Sequence, residues 1–212
     1  MVKFDSVNEF DEACGEIRLL LGYSKKNASK SGKYATFNKA AIVLLCAKFE
    51  AFFEDFLEEY SFYHLSASSN HSVDRCLYDH VVDCVITSLE LAKNKPAKKK
   101  DALSKLAKLC GSEEIRPMTE YSTDPKLRMG KHGQGEIERL LATFGFKEFI
   151  ALDIVKQFFV RFNSLNNIRN NIVHEDATPS LTHQDVKGYL DAVSGFIKEL
   201  AAVAGDKAAL AI

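Results

Sequence analysis

Six residues late in the chain, Arg169-Asn170-Asn171-Ile172-Val173-His174, combine a permanent cation, two amides and an imidazole. Those groups suit phosphodiester cleavage. An imidazole titrates near neutral pH, so it can take a proton from an attacking hydroxyl or return one to a leaving oxygen. A guanidinium offers fixed, forked donors to the negative charge that grows on the phosphoryl oxygens. RNA carries its own nucleophile, the 2′-hydroxyl, so this chemistry requires no metal, cofactor or covalent enzyme group. The five cysteines are scattered without CxxC spacing and read as reduced core residues rather than metal ligands.

The element that must position these groups is a helix. Between Leu152 and His174, residues Val155, Phe158, Phe162, Leu165 and Ile172 fall on one face of a 3.6-residue period. Arg169 lies near the middle of that apolar face, four residues after Leu165. A buried unpaired charge costs several kcal/mol, so Arg169 needs a carboxylate, an interface or a bound anion. His174 stands roughly 140° around an ideal helix from Arg169. The two converge only if the helix ends or bends first, or if a second copy of the chain supplies one of them.

The rest of the chain is read as the frame for that helix. Hydrophobic residues make up 46% of 212, enough for a substantial core, and the formal net charge of −1 excludes an overall basic protein. No run of eighteen apolar residues and no signal-peptide core is present, which predicts a cytoplasmic chain without a membrane partner. Helical spacing predicts segments at Phe4 to Leu21, Thr36 to Leu65, Val73 to Lys93 and Lys98 to Cys110, with Pro96 as an interruption. The polar, basic stretch Gly22 to Lys33 reads as a loop. From Gly111 to Gly135 periodicity is lost, which is long for a connection and predicts either a functional or a mobile segment. Helical spacing returns at Ile137 to Phe144, breaks at Gly145 and runs on to Val173. Thr182 and Asp185 then open a last helix in a capping-type spacing, continuing to Gly205. The expected class is all-α: one domain over 1–212, an antiparallel bundle of about six to eight helices with an irregular insertion near 111–135.

The hexapeptide matches the R-x4-6-H motif of the HEPN superfamily, including the polar residue that often follows the Arg. The segment Leu44-Leu45-Cys46-Ala47-Lys48-Phe49-Glu50-Ala51-Phe52-Phe53 is similar to the acidic, aromatic helix of bacterial HEPN families. This resemblance implies a metal-independent endoribonuclease that works as a homodimer with its motif helices facing each other. Arg169 and His174 would be catalytic, and Asn170 would orient substrate or His174. It also implies RNA as substrate and, in many relatives, a toxin or antiviral-defence role with a cognate antitoxin or defence partner.

Four further sets of residues are expected to support the site. Glu50 lies nearer the apolar face of its helix than Glu54 or Glu58, where a carboxylate could pair with Arg169; the plainer alternative is an edge residue in solvent. Asn166 sits at the margin of the motif face and is a candidate RNA contact. Lys98, Lys99 and Lys100 form the clearest basic patch, which could track an RNA backbone or simply be a solvated loop. His132 could approach the site from the irregular segment. Two readings without catalysis stay open: an interaction module that binds nucleotide, RNA or protein, and an antitoxin or regulator with no active site.

Overall fold

The computed structural model describes residues 3–127, 129–175 and 178–211, apart from the side chains of 129–132, 210 and 211. Eight helices and no strand occur among the described residues: α1 (Asp5–Lys26), α2 (Ser31–Ala67), α3 (Arg75–Leu91), α4 (Pro96–Leu109), α5 (Met129–Thr143), α6 (Lys147–Ile150), α7 (Asp153–Glu175) and α8 (His183–Ala211). The chain is all-α, as its periodicity requires. No helix among the described residues is long and apolar enough to cross a membrane.

The bundle is organised around α2, which at 37 residues spans about 55 Å. Its Ile42, Leu45, Phe49, Phe53, Phe56 and Leu57 are fully buried, and α1, α7 and α8 pack around it. Phe49 is the hub. Its ring lies 5.4 Å from Phe162, 6.1 Å from Phe158 and 6.1 Å from Phe196, joining α2, α7 and α8 through aromatic contacts. The hairpin α3–α4 stands to one side, with α4 leaning on α3.

Several helix ends have identifiable causes. Asp74 caps α3 by accepting from the backbone N–H groups of Cys76 and Leu77. Pro96 does not interrupt a helix but begins α4, where its missing N–H costs nothing. Gly145, at φ +81°, closes α5, and the Phe146 N–H reaches back to the Leu141 carbonyl at 2.8 Å in a Schellman arrangement. Thr182 and Asp185 form a reciprocal capping box at α8: the Thr182 N–H donates to Asp185 at 2.8 Å and the Asp185 N–H to the Thr182 hydroxyl at 3.1 Å. The Thr182 hydroxyl, which donates to the Asp185 carboxylate at 2.7 Å, and then the Thr182 N–H hold that carboxyl below its ordinary range.

Three further expectations are corrected. The basic stretch after Leu21 is not a long loop: α1 continues to Lys26 and α2 already begins at Ser31. Burial of Ser24, whose hydroxyl donates to the buried Asn38 at 2.6 Å, keeps the small, polar segment helical. The irregular segment at 110–128 is a packed strap. Met118, Tyr121 and Leu127 are buried. The Met118 N–H donates to the Leu65 carbonyl, the Leu127 N–H to Glu54, and Thr123 pairs with Ser61 through their hydroxyls. Of the cysteines, Cys14 and Cys46 are buried, whereas Cys110 is exposed rather than in the core.

Candidate functional site

The inner face of α7 is fixed by Val155, Phe158, Phe159, Phe162 and Leu165, all buried. That anchoring sets the rotation of the last two turns. Arg169 follows Leu165 by four residues and is half-buried. Its Nη1 donates to the Asn170 Oδ1 at 2.9 Å, so the amide beside the Arg restrains the guanidinium. Opposite lies Cys46 of α2, 2% exposed. Burial pushes the Cys46 thiol up to about 12, while the positive field of Arg169 opposes that rise and the negative field of Glu50 adds to it. The structure therefore brings Arg169, Asn170, Cys46 and Glu50 into one neighbourhood between α7 and α2.

His174 is placed differently. The helix neither ends nor bends before it; α7 continues through Glu175, and the His174 side chain is exposed. Five residues of regular helix separate it from Arg169 by about 7.5 Å of rise as well as the rotation. Of the two intrachain ways for the groups to meet, neither occurs.

Other anticipated residues fall into separate surroundings. Asn166 is buried, 7% exposed, beneath a kink of α5. Gly133 there adopts φ +48°, ψ −126°, and a methyl at that position would come within 3.1 Å of the Asn166 Nδ2. Next to it, Asn163 donates to Gln134 at 2.7 Å, clamping α5 to α7 six residues before Arg169, and Gln134 donates to Glu138 within α5 at 2.7 Å. His132 directly precedes Gly133, and its side chain lies outside the described residues. Lys98, Lys99 and Lys100 are exposed on α4, which packs on α3 rather than on α7. Lys98 lines a groove of about 740 Å³ whose walls also carry Asp83, Asp101, Glu120 and Asp124. Among the described residues no cluster of three His, Cys, Asp or Glu has the geometry to hold a metal ion.

An all-helical bundle with an R-x4-H pair on a late, core-anchored helix is the arrangement the motif required. The family model described as RiboL-PSP-HEPN matches residues 8–204. The chain belongs to that family. It is therefore a HEPN-type domain, and the match runs from within α1 to within α8, enclosing the motif, the strap and the hairpin alike. Comparison with curated proteins and with solved structures finds no match. Membership in the RiboL-PSP-HEPN family points to a ribonuclease or an RNA-binding module.

Proposed function

We propose that this RiboL-PSP-HEPN domain is a metal-independent endoribonuclease of the cytoplasm that acts as a homodimer through α7. The observation that carries this reading is the pairing of a half-buried, amide-clamped Arg169 with an exposed His174 on one unbroken helix. In a two-fold pairing, Arg169 of one copy and His174 of the other face the same phosphodiester. His174 takes the proton from the 2′-hydroxyl as its oxygen attacks phosphorus. The P–O5′ bond breaks, and the imidazolium returns the proton to the departing 5′ oxygen, leaving a 2′,3′-cyclic phosphate and a free 5′-hydroxyl. Arg169 balances the extra negative charge on the phosphoryl oxygens at the midpoint of that exchange. Asn170 keeps the guanidinium in place, and Glu50 contributes a compensating charge behind it. A toxin or antiviral-defence role, with a cognate antitoxin or defence-system partner, fits such an activity.

A second reading, a non-catalytic module that binds nucleotide, RNA or protein, is favoured by one observation. Among the described residues no group of the same chain hydrogen-bonds the His174 ring to orient it as a base. Incubation of single-stranded RNA with the protein in EDTA decides between them. Cleavage is expected to persist with chelator and to fall by at least about 10²-fold in Arg169→Ala and in His174→Ala. Mixing the two inactive variants should restore about a quarter of the activity, because half the random dimers carry one intact composite site. Cleavage that stops with chelator, or survives both substitutions, overturns the proposal. Absence of cleavage combined with weaker RNA binding in Arg169→Ala supports the binding module instead.

A further inference from the structure

Residues 17–49 hold seven cations and no Asp or Glu, in a chain whose formal net charge is −1. The fold gathers the densest part of that stretch at one end of the bundle. Lys25, Lys26, Lys30 and Lys33 are all exposed around the turn between α1 and α2, and among the described residues none of them forms an ion pair. Most other lysine or arginine pairs in the fold join nearby helical charges, as at Arg75–Asp79, Arg139–Glu136 and Lys187–Asp191. The α2 N-terminus adds to the positive field, since its cap residue Lys30 supplies no side-chain acceptor to the first N–H groups.

The same turn carries an aromatic platform. The Tyr23 ring, 46% exposed, is stacked on Phe37 at 5.7 Å between centroids and 25° between planes. The Lys26 ammonium lies 5.9 Å from the Tyr23 centroid. An exposed flat ring braced from behind and ringed by unpaired cations is what single-stranded nucleic acid binds: bases stack on the ring while phosphates follow the lysines. A site for a bare anion would leave the braced ring unused, whereas a nucleobase stacks on it.

This patch lies at the motif end of the molecule. Cys46 faces Arg169 and Phe49 faces Phe158 and Phe162, so α7 runs antiparallel to α2 and its C-terminus approaches the start of α2. Asn38 donates to the Leu181 carbonyl at 2.7 Å, and the Tyr34 hydroxyl accepts from the His183 N–H at 2.9 Å, tying the start of α2 to the segment just beyond the motif helix. The hydroxyl of Ser24 on Asn38 brings the end of α1 to the same place. We propose that Tyr23, Lys25, Lys26, Lys30 and Lys33 form a single-stranded RNA-binding subsite that delivers the strand to the Arg169 and His174 end. This rests on the ribonuclease reading for its purpose, though not for its existence.

The test is fluorescence anisotropy with a labelled single-stranded 2′-O-methyl oligoribonucleotide of mixed sequence, which binds without being cleaved, alongside cleavage of ordinary RNA in EDTA. Replacing Lys25, Lys26, Lys30 and Lys33 by Gln should weaken binding at least about tenfold and flatten the slope of log affinity against log salt by roughly 3. Tyr23→Ala should weaken it by about 5- to 100-fold, and Tyr23→Phe should restore it. Parental affinity in the lysine and Tyr23→Ala variants overturns the subsite, as does a loss found only on replacing Lys98, Lys99 and Lys100 by Gln. If cleavage persists while those variants bind normally, the subsite falls and the ribonuclease reading stands. If the oligonucleotide binds through the patch while RNA is never cleaved, the subsite stands and the ribonuclease reading falls.

Discussion

The two halves of α2 belong to one helix but treat charge in opposite ways. Beyond Phe49 the ionised groups are the acids Glu50, Glu54, Asp55, Glu58 and Glu59, with no Lys or Arg. Two of these acids are engaged by the fold itself. Glu59 accepts from the N–H groups of Asp5 and Ser6 at 2.8 and 3.2 Å, capping α1 from outside, and Glu54 holds the strap through the Leu127 N–H at 2.7 Å. Before Phe49 the charges are lysines, and those nearest the turn make no such bonds. A charge spent on an internal N–H stabilises the native state, whereas a charge left in solvent stays available to a ligand. The acidic half thus reads as construction, and the basic half, which lies beside the motif, reads as contact surface.

Substitutions can break or sharpen that contrast. Phe49→Ala, at the boundary of the halves and fully buried, sets the scale: it should cost about 3–5 kcal/mol in urea unfolding. Gly133→Ala should cost about 1–3 kcal/mol, because φ +48° disfavours a side chain and the methyl would press on Asn166. Glu59→Ala should cost about 1–2 kcal/mol by uncapping α1. Replacing the four lysines of the turn by Gln should change stability by no more than about 0.5 kcal/mol. Equal losses in the last two would dissolve the distinction between the halves.

The smallest effect concerns His64, near the acidic end. Burial holds its imidazole below the ordinary value of 6.5, with Asp74 opposing and Lys207 reinforcing the shift. The unfolded chain therefore binds a proton that the native state resists, so stability is highest above pH 6.5 and declines as pH falls through it. His64→Phe should flatten the difference in melting temperature between about pH 7.5 and pH 5.5. An unchanged difference would assign the acid sensitivity to another group.

Much of this was legible in residue spacing. The apolar period of α7 identified most of its buried face, missing Phe159 and including Ile172, which is only partly buried, and Thr182 with Asp185 marked the start of α8. The strap was not legible, because it is held by isolated anchors such as Met118 and Leu127 and by bonds to Leu65 and Glu54, with no repeat to detect. The end of α1 was hidden by composition: Gly22 to Lys33 looks like a loop until Ser24 meets Asn38. Arg169 and His174 stood out because their motif is local. The burial of Asn166 did not, since it depends on a kink more than thirty residues earlier. The subsite at the turn carried a sequence signal, thirty-three residues without an acid, that a search for lysine runs passes over in favour of Lys98, Lys99 and Lys100.

The straightness of α7 through His174 has a quantitative corollary under the two-copy reading. If neither group has a working counterpart in its own chain, a lone subunit is silent, and below the dissociation constant of the pair the rate follows the square of protein concentration. Halving the dose then costs about fourfold in output. Dilution itself becomes an off-switch, and abundance in the cell a threshold.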